Sequence, residues 1–317
     1  MSTRAFRIVV VVAFSIAITL VAPFLGGPLS GDQGEFIFWR LRVPRVLVGA
    51  MMGATLSIVG AVFQVLFSNP LAEASTVGTA AGATMGTLVA LVLGVSGGAL
   101  PVVVVFAFAG AFLVSLLIAA IASIRHNSQS DVLLAGIAIS LAATAISMGL
   151  QYSADMQALF TATQWSLGHI AQVNYRGVLL LLPLVAASCG VCLALSRSLY
   201  SFSVGEDLAR SYGVNVARLR AVALGFGSLG VAACVAWCGP IAFVGLVVPH
   251  LIRLLVGASV RVVLPLSCVG GAGYLVLCDL VGRTLLPTRE LPVGMITSAV
   301  GAPALVLLLL RRRAPEA

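Results

Sequence analysis

Ten times along this 317-residue chain the sequence stays apolar for roughly the ~20 residues a helix needs to cross a bilayer, with only short polar breaks between. In hydrocarbon every backbone N–H and C=O must find a partner, so a chain built this way folds as an all-α polytopic membrane protein. The runs cover 6–24, 45–67, 75–94, 100–122, 131–152, 177–196, 220–238, 241–256, 262–281 and 293–310, which predicts about ten transmembrane helices in a single domain, 1–317. One division decides the topology. If Gly239-Pro240 only kinks a long helix, a crossing disappears and every later break changes side. At the start, Arg4 and Arg7 precede an apolar run from Ile8 to Ala22, the shape of a signal peptide. No A-x-A-like site follows it, and the expectation is an uncleaved first helix.

Charge is scarce and one-sided. Charged residues make up 9% of the chain and the formal net charge is +8, yet the arginines sit in the breaks, where they orient a membrane protein rather than bind nucleic acid. With the N-terminus inside, the inner breaks collect Arg4, Arg7, Arg125, Arg197, Arg210, Arg218, Arg220, Arg253, Arg261 and Arg311 to Arg313. Both termini are then cytoplasmic, and Trp39, Trp165 and Trp237 fall at the outer interface. All 18 basic residues are arginine. Without a lysine, the phosphate-binding pattern GxxxxGK followed by Ser or Thr cannot occur, so any ATP is hydrolysed on another subunit.

The one long polar interval is 197–220, RSLYSFSVGEDLARSYGVNVARLR, with six of the 28 charged side chains. Gly205 and Gly213 bracket a short helical segment, Glu206 to Tyr212, acidic in its first turn and carrying Arg210 in its body, the order a helix dipole favours. This is a cytoplasmic surface helix between two membrane blocks, or, on the plainer reading, a connecting loop. On the outside, Arg40, Arg42 and Arg45 crowd before the second span and Arg283 and Arg289 follow the ninth, against the orientation signal. They imply either an acidic partner or interfacial anchoring.

Within the spans, ionisable residues are nearly absent. Apart from Asp131 at the first position of the fifth run, Asp279 is the one carboxylate expected there, close to an outer end, which argues against an ion-coupled secondary transporter, the competing class. Gly94-Val-Ser-Gly-Gly98 fits GxSxG, but Ser96 lies in a helix–helix break rather than a strand–turn–helix, and a membrane hydrolase is disfavoured. The six cysteines lie in apolar runs without His or carboxylate neighbours, so they read as small packing residues and no metal site is expected. His250 likewise lacks a second ligand nearby and reads as structural. Glycines four apart at Gly49 and Gly53, and at Gly78, Gly82 and Gly86, predict close helix–helix contact.

Eight stretches in order then resemble one family across nearly the whole chain: RVPR (42–45), NPLAE (69–73), LLAGIAIS (133–140), WSLG (165–168), GEDLARSYGVNVARLR (205–220), GPIAFVGLVVPHLIR (239–253), CDLVGR (278–283) and ELPVGMITSAVGAP (290–303). The chain resembles the FecCD-type permeases of type II ABC importers, which take up ferric siderophores, haem or cobalamin. The resemblance implies a permease without enzymatic activity in a bacterial cell membrane. Its cargo would be a metal chelate, a ferric siderophore before haem or cobalamin. Its partners would be a second permease subunit (homodimer or heterodimer), two P-loop ATPase subunits holding ATP and Mg, and an extracytoplasmic substrate-binding protein. By the same resemblance Gly205, Glu206, Ala209, Arg210 and Gly213 couple to the ATPase, and Arg42, Arg45 and Arg283 dock the binding protein. Asn69, Leu71, Ser128, Gln129 and Ser130 form a cytoplasmic gate, and Thr144, Ser147, Met148 and Gln151 line the pathway. The chain departs from many members at Ala74, where they carry proline after the NPLA turn, implying a less rigid turn.

Overall fold

A computed structural model describes residues 3–26, 32–73, 78–95, 102–123, 129–170, 174–286 and 289–312. Ten helices correspond to the ten apolar runs: α1 (Thr3–Val21), α3 (Val43–Leu66), α4 (Thr79–Val92), α5 (Val102–Ser123), α6 (Gln129–Ser153), α8 (Tyr175–Ala194), α11 (Val216–Cys238), α12 (Val244–Val256), α13 (Val260–Thr284) and α14 (Val293–Arg312). Four shorter ones lie in the breaks: α2 (Asp32–Phe36), α7 (Met156–Ser166), α9 (Ser196–Val204) and α10 (Glu206–Ser211). Ser96 lies outside the described residues.

Helix α3 is the axis of the bundle. Of its most apolar stretch 78% is buried within the chain, against 11% for α1 and 17% for α6, which face outward. Lipid tails offer helices no hydrophobic reason to associate, so backbones must approach closely enough for dispersion contacts to add up. The spaced glycines make this possible. A Cβ on Gly53 would collide with the Gly271 backbone of α13, and one on Gly82 would collide with Gly110 of α5. Neighbours along α3 also set directions. Gly227 and Gly230 of α11 meet Phe63 and Thr55, an antiparallel run, whereas Gly245 and Arg253 of α12 meet Gly60 and Gln64, a parallel one.

The chain therefore reverses at Gly239-Pro240 and two helices stand where one kinked helix was the alternative. Gly239 has φ 74°, a backbone state that an L side chain resists, and the Trp165 carbonyl occupies the place of its missing Cβ. With 13 residues, α12 rises only about 20 Å, less than the ~30 Å hydrocarbon core. It starts at Val244 rather than 241, and irregular backbone over 239–243 completes the crossing inside the protein. Of the three tryptophans expected at the outer interface, Trp39 is exposed, while Trp165 and Trp237 pack against the core.

Candidate functional site

The end of the bundle that the arginine bias assigns to the outside holds a buried ion cluster. Pro44 has no N–H to give the Arg40 carbonyl, and the chain before it widens into a π turn over Ile37–Arg42, with the Val43 N–H reaching back to the Phe38 carbonyl. Arg42 and Arg45 thereby enter α3 on one face. Arg42 is 9% exposed and donates to the carbonyls of Pro23 (3.3 Å) and Gly26 (2.8 Å), just beyond α1. Arg45 grips Asp279 of α13 through Nε (3.0 and 3.1 Å) and Nη2 (2.9 Å), and its Nη1 donates to Glu290 at 2.7 Å. Arg283, one turn beyond Asp279, pairs with it at 3.3 Å and donates to the Ala22 carbonyl at 3.1 Å.

The three arginines expected to dock a partner are thus brought together, but turned inward. The side chains of Arg45, Arg283 and Asp279 are 12%, 6% and 5% exposed, and only Glu290 of this network reaches well into solvent. Each guanidinium is engaged within the chain, that of Arg42 with backbone carbonyls. The exposed cations at this end are Arg40, Arg176 and Arg289.

At the opposite end, α9 and α10 form a two-helix elbow. Glu206 opens α10 and accepts from Arg210 (2.6 Å) and from Arg220 of α11 (2.7 Å), while Arg220 lies 5.6 Å over the Phe202 ring and Arg261 lies 4.6 Å over that of Tyr200. Gly213, at φ 78°, turns the chain towards α11, whose first turn Asn215 caps by accepting from the Arg218 N–H at 3.0 Å. Of the expected coupling residues, Arg210 and Gly213 face solvent, and Gly205 and Glu206 are half-buried. Ala209 is fully buried and belongs to the packing of the elbow, so it is not part of a contact surface. Helical geometry explains this, since Asp207, Leu208, Arg210, Ser211 and Tyr212 take the open side of so short a helix and leave Ala209 against α9. Leu208 and Tyr212, 41% and 72% exposed, are apolar surface the sequence reading passed over.

The turn after α3 is fixed by its own side chain. Asn69 Oδ1 accepts from the Leu71 N–H at 2.9 Å, its carbonyl accepts from Ala72, and Leu71 is left exposed. Ser128, Ala74 and the side chains of Gln129 and Ser130 lie outside the described residues. On α6, Thr144 and Met148 share an exposed face with Leu141, and Gln151 is half-buried below them. Ser147 departs from expectation: it is 3% exposed, and its hydroxyl donates to the Ala143 carbonyl within the bundle rather than towards a pathway.

Two carboxylates gain their meaning from partners and surroundings that only the structure shows. Asp279 was located but its partners were not, although its i,i+4 spacing to Arg283 was a visible signal. Glu73 falls in the break between the second and third apolar runs. It is 7% exposed and faces a cavity of about 390 Å³ together with Leu56, Thr79, Val235, Pro240 and Ser298. Thr79 begins α4 beside this cavity, so Glu73 and the start of α4 both lie inside the bundle. Among the described residues, no group of three or more His, Cys, Asp or Glu side chains could hold a metal.

A model of the FecCD transport family matches residues 5–311. An uncharacterized ABC transporter permease protein of Bacillus subtilis (strain 168), YvrB, is 37% identical over 294 residues, covering 90% of this chain and 83% of its own. The vitamin B12 import system permease protein BtuC of Escherichia coli O9:H4 (strain HS) is 37% identical over 283 residues, covering 89% of this chain and 86% of its own. Among solved structures, one described as an inward-facing conformation of a metal-chelate type ABC transporter superposes with a TM-score of 0.88 at 27% identity, covering 96% of this chain and 98% of its own.

Proposed function

This chain belongs to the FecCD transport family and is the permease of an ATP-binding-cassette importer, and on that premise we propose that its cargo is cobalamin or a closely related corrinoid. The observation that carries the cargo is the 37% identity, over 89% of the chain, to a permease named for vitamin B12 import. It moves the reading from the ferric siderophore expected earlier to another metal chelate of the same family.

In this reading two permease chains enclose the pathway, with the exposed Thr144–Met148 face of α6 turned towards it and the Asn69–Leu71 turn closing its inner end. A separate ATPase holds ATP and Mg and seats the open side of α10, with Leu208, Arg210 and Tyr212 as contacts. Movement of that elbow passes to α11 through the Glu206–Arg220 pair. A binding protein docks outside, where its carboxylate would take the place of Glu290 on Arg45, and Arg40 and Arg289 would steer the approach. Such charge exchange sets register and on-rate more than affinity.

Proteoliposomes holding the permease and its ATPase, supplied with the binding protein, test this. Labelled cobalamin should accumulate with ATP and be indifferent to an uncoupler. Accumulation of a ferric hydroxamate in its place would return the cargo to siderophores. Collapse with the uncoupler at constant ATP would mean ion coupling.

A further inference from the structure

The larger of the two cavities described, about 810 Å³, lies at the inner end, between the last turns of α3, the turn at Ser68–Pro70, the end of α9, and α12 and α13. Its lining divides into two chemistries. Gln64, Ser68, Ser203, His250 and Arg253 supply polar groups, one of them a permanent cation, and no carboxylate is among the described residues that line it. The remaining wall is aliphatic, with Val65, Val260 and Leu264.

The cation is held in place. Gln64 is 4% exposed; its Nε2 donates to the Gly245 carbonyl at 3.1 Å, which turns its Oε1 to accept from Arg253. Arg253 occupies the last turn of α12, and Leu251, Leu254 and Leu255 beside it are 43%, 60% and 41% exposed. Such leucines on a membrane helix face acyl chains. Arg7 donates to the Leu255 carbonyl at 3.1 Å, placing a second cation at the same level. A cationic pocket with one aliphatic wall, opening beside lipid-facing leucines in the layer where arginines concentrate, has the pattern of a headgroup site between transmembrane helices.

We propose that this cavity binds the phosphate headgroup of an anionic phospholipid. Arg253, with its planar set of donors, takes the phosphate oxygens; His250 and the Ser68 hydroxyl complete the cradle, joined by the Ser203 hydroxyl once it turns from the Tyr200 carbonyl to which it donates at 2.7 Å; the glycerol and first methylenes lie against Val65, Val260 and Leu264. Inorganic phosphate shares the headgroup chemistry but has no use for the aliphatic wall. Because Ser68 precedes the Asn69 turn and Ser203 lies in α9, the bound lipid would hold that turn against the elbow. The assignment is independent of which chelate is carried.

The test is native mass spectrometry of the assembled, delipidated transporter titrated with phosphatidylglycerol, against phosphatidylcholine of the same chains, with inorganic phosphate as competitor. Wild type should hold phosphatidylglycerol about tenfold more tightly than phosphatidylcholine, and Arg253→Gln should lose about fivefold or more of that preference. Since Arg253→Gln also removes the Gln64 contact, Ala258→Trp, at an exposed position on the cavity's lining, is the second variant. It blocks entry without touching a hydrogen bond and should lower phosphatidylglycerol binding similarly. Equal binding of the two lipids to wild type, or full retention by Ala258→Trp, overturns the proposal. Displacement of phosphatidylglycerol by equimolar inorganic phosphate overturns the lipid as the ligand.

Discussion

Arginine–carboxylate chemistry is used at both ends of this molecule with opposite consequences. At the outer end Asp279 sits between Arg45 and Arg283 with all three side chains largely removed from solvent, and backbone carbonyls of the α1 end complete the set. At the inner end Glu206 sits between Arg210 and Arg220; Arg220 is 16% exposed, but Arg210 is 63% and Glu206 28% exposed, so the carboxylate itself stays in reach of water. Burial decides what each pair does. In the interior an ion that loses its partner has nothing to replace it, so the outer cluster ties α1, α3 and α13 into one body. At the surface water and salt stand in for a lost partner, so the inner set can rearrange at small cost. A transporter needs both, a firm frame and a yielding contact.

The sharpest way to break this contrast is Asp279→Ala. Leaving Arg45 and Arg283 buried without their carboxylate should cost about 3–5 kcal/mol, read as a large loss of thermal stability in detergent and in folded yield. A cost no greater than that of an inner-end mutation would end the distinction.

Next in size is Glu206→Gln, which loosens the tether between α10 and α11 and should cost about 1–2 kcal/mol. Its defect should shrink as salt rises, because the wild-type pair is itself screened, whereas that of Asp279→Ala should not. Parallel melting curves at low and high salt separate the two.

The smallest effect on stability is expected from Tyr212→Ala, within about 0.5 kcal/mol, because the side chain is 72% exposed. The same variant should weaken co-purification of the ATPase, as the proposed coupling surface requires. Unchanged ATPase recovery would remove Tyr212 from that surface.

The helices of the frame were legible because each crossing is a local property. The short ones were not. Helix α7 carries Gln157, Thr161, Thr163 and Gln164 and is too polar to register as a span; its signal was Asp155, which caps it by accepting from the Ala158 N–H at 2.7 Å. Helix α9 was merged with the polar interval because its many serines keep it too polar to register as a span, although Leu199 and Phe202, one turn apart, mark its buried face. At the sites, Arg42, Arg45 and Arg283 were identified as a group, while their direction was missed. Charge alone does not say which way a guanidinium turns, and a buried counter-ion such as Asp279 turns it inward. Ala209 failed for a related reason, since a small apolar residue in a polar helix carries no mark of which side it takes.

Taken alone, the sequence determined that this chain is a helical membrane protein of about ten apolar runs, which way its arginines bias it, that it lacks a phosphate-binding lysine, and where its backbones could touch. Those properties add up segment by segment, from transfer into lipid and from the absence of side chains at spaced glycines. The tertiary structure decided that Arg45 meets Asp279 across 234 residues, that Glu73 turns into the bundle, and that Gln64 holds Arg253 at a cavity. These depend on how helices rotate against one another. That rotation is set by the sum of many weak contacts over distant parts of the chain, which no single stretch of sequence records.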